Sequence, residues 1–483
     1  MRRAVRALYR FGRVVLLAGG AAGLATCATN PVTGKSELSL ISESQEIAMG
    51  RDYSVQVSRE MGVYPDSAVQ RYVRAIGTRL AAASERPRLP WSFTVVDDPV
   101  VNAFALPGGY IFVTRGILAH MNSEAELATV LGHEIGHVTA KHSVRQMSRA
   151  QLAQLGLVAG SLLSSEIAQQ AGLISTGLGI LFLKYGRDDE RQADQLGFRY
   201  ALQDGYDVRR MVDVFATLQR VSARSGQRIP EWLSTHPDPG NRIEATRQRL
   251  QRVTVNLDSL RVNREGYLAA VDGLVYGDDP RQGFFQGSRF LHPDLQFQLE
   301  FPPGWKTQNT PQQVVGASPG QDALVGLTVA GQDPPGAALR AFLGRSGIQG
   351  GTPSSAPIHG NPAATAPFSA TTENGAQLRG YVAFVSYNGL TYQLLAYGTA
   401  SAFRGYDAAF RGFLGSFRRL TDPATLDVKP ERIRIATVPR AMTLAEFNQQ
   451  RPSTVTIEEL ALINGMEPGT MLQAGEKVKT VGR

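Results

Sequence analysis

The sequence predicts an α+β protein with a mostly helical first half, a smaller α+β domain behind it and a short strand, helix, helix, strand unit at the end. Apolar residues recur at helical spacing up to about residue 250, alternating and aromatic runs take over between 290 and 420, and Gly/Pro-rich loops separate them. With 483 residues the chain exceeds the usual size of one domain, and 43% hydrophobic against 19% charged residues is the balance of a protein with a packed core.

The first helical stretch runs from Ser42 to Ala83, with Ile47, Val55, Met61, Val69, Val73, Ile76 and Leu80 on apolar faces and a break at Tyr64-Pro65-Asp66. Strand-like runs follow at Trp91 to Val96 and Tyr110 to Thr114, with Pro107-Gly108-Gly109 as the turn between extended segments. A strong helix starts after Ser123, a good N-cap with Glu126 three residues on, and carries Leu127, Val130, Leu131, Ile135 and Val138 on one face. Residues 152 to 183 form two apolar segments rich in Gly, Ala and Ser, each shorter than the roughly 20 residues of a spanning helix. They read as a helical hairpin over the preceding helix, or as an element dipping into a membrane. Helical patterns return over Asp188 to Leu202, Val208 to Val221 and Arg242 to Leu250. Strands are expected at Phe297 to Phe301, Leu324 to Val329, Tyr381 to Tyr387 and Tyr392 to Tyr397.

The net charge of +8 first suggests nucleic acid. Five of those charges are Arg2, Arg3, Arg6, Arg10 and Arg13, so the rest of the chain carries only three, too weak a field for that partner. The five arginines precede an apolar run, Val14 to Ala25, that ends at Thr26-Cys27. That is the layout of an export signal. Cys27 is the only cysteine and has no internal disulfide partner. The segment resembles a bacterial lipoprotein signal, which implies lipidation at Cys27; an ordinary cleaved signal is the alternative.

The chemistry lies in His133-Glu134-Ile135-Gly136-His137. Residues four apart on a helix differ by about 40° around the axis, so His133 and His137 project from one face and can bind one Zn²⁺. Glu134 faces a neighbouring side, where its carboxylate can take a proton from a water activated by the metal. A third ligand should come from another element. Glu190 offers one, and Asp194, one turn later, suits a hydrogen bond to the far nitrogen of a ligand histidine. His142 lies about 140° from His137 if the helix continues, and is expected to be solvated. His120, His292 and His359 are expected to be structural.

His-Glu-Ile-Gly-His, the downstream Glu190-Arg191-Gln192-Ala193-Asp194-Gln195-Leu196-Gly197, the upstream Asn102 to Gly109, and Thr235-His236-Pro237 with Arg242 together resemble the HtpX/BepA-like zinc metallopeptidases, relatives of the CAAX prenyl protease. The likeness covers roughly residues 40 to 250. It implies a zincin-type peptidase domain over 28–265 with one zinc ion on His133, His137 and Glu190, Glu134 as general base, and His236 and Arg242 near the open coordination position. In some relatives the matching histidine is proposed to sit on the zinc at rest, which would make His236 a switch. Asn102, Ala103 and Phe104 would belong to an exposed edge strand that receives substrate backbone.

Residues 285–422 form a domain without a recognisable role. The tail, 430–483, with Leu460-Ala461-Leu462-Ile463-Asn464-Gly465 and Gly475-Glu476-Lys477-Val478, loosely resembles a LysM-type module; a packing domain without glycan binding is the alternative.

The leading expectation is a periplasmic endopeptidase, lipid-anchored to the outer membrane of a Gram-negative cell, that degrades unfolded or misassembled envelope polypeptides. The second is a chaperone or assembly factor with a latent peptidase site whose later domains bind partner proteins or peptidoglycan. A metallohydrolase of glycans or small amides fits less well, because an edge strand suits peptides.

Overall fold

The computed structural model describes residues 26–154, 185–224, 236, 239–371 and 375–483. The signal-like run up to residue 25, most of the apolar pair at 152–183, Thr235 and Pro237 lie outside them. The chain divides into two compact units, Met1–Ser58 with Gly62–Gly277 and Arg432–Gly482 in the first, and Asp278–Glu431 forming most of the second.

The first unit begins with an antiparallel hairpin, β1 (Thr26–Thr29) and β2 (Ser36–Ser39). Its turn is closed by Asn30, whose side-chain oxygen accepts from the Val32 and Thr33 amides. Helix α1 (Glu43–Met61) starts in a capping box of Ser42 and Gln45, and α2 (Ser67–Ala82) starts at Asp66, which accepts from two amides. The break between them falls at the Tyr64-Pro65-Asp66 signal. Three short strands follow, β3 (Ser92–Val96), β4 (Ala103–Leu106) and β5 (Tyr110–Thr114), in the order β3-β5-β4, with β3 parallel and β4 antiparallel to β5. The β4–β5 turn needs Gly108 and Gly109, whose φ angles are 76° and 98°. β4 is an outer strand, as β3 is, but not the exposed one expected. Ala103, Phe104, Ala105 and Leu106 are all buried, and Phe104 stacks on Phe112 at 5.3 Å.

Helices α3 (Arg115–His120), α4 (Glu124–Thr139), α5 (His142–Gln154), α6 (Arg187–Gln203), α7 (Arg210–Arg224), α8 (Pro239–Leu250) and α9 (Arg264–Val271) complete this part. Every residue of α4 is buried. Ser123 caps it by accepting from the Glu126 amide.

The tail is built into this unit. Strands Arg432–Thr437 and Lys477–Gly482 pair antiparallel around helices Leu444–Gln450 and Ile457–Ile463. Ile433, Phe447, Leu460, Leu472 and Val478 share one core with Val73, Leu127 and Ile135. The Lys479 ammonium is buried and donates to the Ala119 and Met121 carbonyls at 2.7 and 2.8 Å. Two short helices and two two-stranded ladders bury too little apolar surface alone, so sharing a larger core is the physically favoured arrangement.

The second unit holds a seven-stranded antiparallel sheet, centred on Gln377–Tyr387, Leu390–Thr399 and Ala323–Gly331, and a four-stranded one that includes Arg289–His292 and Phe297–Glu300. Helices Pro335–Leu343 and Phe403–Gly415 pack on the seven-stranded sheet. Phe290, Phe297, Tyr392, Phe410 and Phe417 fill its core. The protein is therefore α+β, with a helical domain and a separate β-rich region. No described helix is long and apolar enough to cross a membrane.

Candidate metal centre

The site forms where α4 crosses α6 with almost no side chain between them. A Cβ on Gly132 would lie 3.0 Å from Gly197 Cα, one on Gly136 3.1 Å from the Ala193 carbonyl oxygen, and one on Gly197 2.7 Å from the His133 nitrogen. Small residues at the crossing let the backbones approach, and this brings the two histidines of α4 against the acidic face of α6.

His133, His137, Glu190 and His236 are buried and offer ligand atoms that all lie within 4.8 Å of one another. Nε2 of His133 and Nε2 of His137 are 3.0 Å apart, and His236 Nδ1 is 3.3 Å from His133 Nε2 and 2.8 Å from Glu190 Oε1. Asp194 Oδ1 lies 3.0 Å from His133 Nδ1. A carboxylate accepts, so the His133 proton sits on Nδ1 and Nε2 is a bare lone pair aimed at His137 and Glu190. Acceptors pressed together in a dry pocket repel unless a cation lies between them. This donor set, nitrogen and carboxylate oxygen in fourfold convergence, suits one zinc ion.

Glu134 is fully buried, and neither carboxylate oxygen has a hydrogen-bond partner among the described residues. Burial and the nearby Glu190 push its proton affinity well above that of an ordinary glutamate. Burial acts the same way on Glu190, but there His236 and Arg242 outweigh it and hold the carboxyl well below the usual range. Burial likewise lowers His137 well below the ordinary histidine range and takes His133 to about 4, so both imidazoles stay neutral and free to bind metal.

Arg242 lies against the donor group, with Nη2 3.3 Å from His133 Nδ1. Its guanidinium also makes two bonds to Asp194, with Nη1 3.2 Å from Glu190 Oε2, and lies over the Phe215 ring at 4.3 Å. His236 stands inside the donor group. Asn102 is buried beside β4; its backbone pairs with Thr114, and its side-chain oxygen has no partner among the described residues. Cys27 lies in β1.

His142 corrects the sequence reading. It is buried, with Nδ1 2.8 Å from His137 Nδ1 and Nε2 2.9 Å from Gln192 Oε1. Lys141 adopts φ 57°, which ends α4 and starts α5 on a new axis, so the 140° offset of a continuous helix does not apply. Tyr185, also unforeseen, stacks on His137 with ring centroids 3.9 Å apart. The presence of a third histidine close behind the motif was the one available signal.

Residues 67–250 match the profile of peptidase family M48. That stretch of the chain is similar to the M48 peptidases. The beta-barrel assembly-enhancing protease of Yersinia pestis is 32% identical over 231 residues, 46% of this chain and 47% of that protein. Its namesake in Escherichia coli strain K12 is 30% identical over 234 residues, 47% of this chain and 48% of the other. Human mitochondrial metalloendopeptidase OMA1 is 28% identical over 231 residues, 44% of each. The chain thus spans about half the length of the curated relatives it matches. The matched stretch includes α4 and α6.

Proposed function

We propose that the chain is a zinc-dependent endopeptidase of the bacterial cell envelope that acts on unfolded or misassembled envelope polypeptides. The observation that carries this reading is the fully buried Glu134 carboxylate, without a hydrogen-bond partner among the described residues and with His236 Nε2 3.8 Å from Oε1, beside four converging metal donors. Zinc held by His133, His137 and Glu190 would polarise the scissile carbonyl and acidify water. Glu134 is the group placed to accept that proton and pass it to the leaving nitrogen. Asp194 fixes the His133 tautomer, and Arg242 holds Asp194 and Glu190 in register. Asn102 and the first residues of β4, Ala103 and Phe104, are assigned to substrate binding by strand addition, which reads main chain and predicts loose sequence preference.

The relatives named for beta-barrel assembly support an outer-membrane protein substrate class. We assign the protein to the periplasm, with a lipid anchor at Cys27 in the outer membrane. The tail is read as LysM-like, with peptidoglycan as its candidate ligand.

One observation favours a second reading, a peptidase held latent. His236 occupies the donor group where a catalytic zinc keeps an open position. It would have to leave before substrate binds.

The deciding experiment is metal content and casein hydrolysis of the form beginning at residue 28, wild type beside Glu134→Gln and Glu190→Ala. One zinc per chain is expected, retained without activity in Glu134→Gln and weakened in Glu190→Ala. A wild type that bound no zinc would overturn the enzyme reading; one that bound zinc without cleaving would leave the latent one.

A further inference from the structure

Each of the two motif histidines is backed by a different kind of partner. His133 has the Asp194 carboxylate behind its Nδ1, and His137 has the neutral ring of His142, Nδ1 to Nδ1 at 2.8 Å. Two ring nitrogens at that separation share one proton, and which ring carries it follows from the far side of His142. There Nε2 faces Gln192 Oε1 at 2.9 Å and Asp189 Oδ1 at 3.8 Å. Both are oxygens that accept, so Nε2 of His142 bears its hydrogen. A neutral imidazole has one N–H, which leaves Nδ1 of His142 as an acceptor. Nδ1 of His137 must then donate, and its Nε2 is left as a lone pair turned into the donor group, 3.4 Å from Glu190 Oε1.

We infer that His142 is a positioning residue that selects the metal-binding tautomer of His137 and fixes its ring. The inference rests on the zinc reading above. The opposite proton order would put an N–H of His137 where the metal belongs. Tyr185, stacked on the His137 ring at 25° between planes, restrains the same ring on its face, so orientation about both axes is set. The chemistry also explains a neutral partner. Glu134, Glu190 and Asp194 already crowd three carboxyl groups into this dry pocket, with Arg242 as their buried counter-charge. A further carboxylate behind His137 would add uncompensated charge, whereas an imidazole supplies the acceptor without it.

The test compares two replacements of nearly equal size, His142→Asn, whose Oδ1 can accept in place of the ring Nδ1, and His142→Leu, which cannot. Zinc affinity of the full chain is measured by competition with a chromophoric chelator, alongside the melting temperature of the metal-free proteins. The expected result is wild-type affinity within a few-fold for Asn and a loss of roughly 10- to 100-fold for Leu, the usual size of an outer-shell effect. Both variants lose the same ring packing, so a purely structural role would weaken them equally. Equal zinc affinity in Asn and Leu, whatever their stability, would overturn the inference. Absence of zinc binding by the wild type would overturn the zinc reading itself, a separate outcome.

Discussion

Arg242 grips Asp194 with two hydrogen bonds, Nε to Oδ2 at 2.9 Å and Nη2 to Oδ1 at 2.6 Å, all within the buried interior. Arg242→Leu would leave Asp194 and Glu190 as buried carboxylates without a counter-charge. Breaking such a pair destabilises by about 3–5 kcal/mol. Urea unfolding of the metal-free protein should show a loss of that order, with weaker zinc binding, and Arg242→Lys should recover little because it cannot reproduce the fork. A stability unchanged from wild type would show that the pair is not holding the site.

The glycine crossing gives a second prediction. Gly197→Ala places a methyl 2.7 Å from the His133 nitrogen, where backbone has to move. About 1–3 kcal/mol should be lost, together with zinc affinity, because the same shift separates His133 from Glu190. Gln195→Ala, exposed on the same helix, should change stability by less than about 0.5 kcal/mol.

His236→Ala separates the two roles open to that residue. If it fills a position that substrate needs, zinc binds less tightly while kcat/KM on casein rises several-fold. That is the expected outcome. A fall in kcat at unchanged zinc affinity would instead assign His236 to the oxyanion.

A fourth prediction concerns acid stability of the β-rich unit. Burial lowers His292 to about 4, below the unfolded value near 6.5. Between those values the unfolded chain binds the extra proton, so stability present above pH ~6.5 is lost as the pH falls towards 4. The loss is at most about 3 to 4 kcal/mol at 1.36 kcal/mol per pH unit. His292→Gln should flatten the shift in urea midpoint between pH 7 and 4.5; an undiminished shift would remove His292 as its cause.

The sequence made α4 and its motif legible because helical spacing alone puts His133 and His137 on one face. Ser123 marked the start of α4 through its capping chemistry, and Tyr64-Pro65-Asp66 marked the break before α2. What it hid depended on backbone turns without a glycine or proline signal, and on partners far apart in the chain. Lys141 takes φ 57° with neither residue type at hand, and that single turn hides His142. The Arg242–Asp194 pair spans 48 positions, and nothing local says that this arginine serves carboxylates. The tail pattern showed its strands and helices, but not that Lys479 would be buried against Ala119 and Met121.

The opening hairpin carries a practical consequence. Asn30 donates to the Ala140 carbonyl at the end of α4 and to Glu37; Glu37 accepts from Arg145, and Arg145 pairs with Asp189, beside His142. The residues that follow Cys27 therefore behave as a strap buckled behind the metal ligands, and not as a loose tether. Where a recombinant form is cut will decide what it reports. One starting at residue 28 keeps the buckle; one trimmed to the first helix at residue 43 discards it, and weak metal binding by it would describe the trimming and not the site.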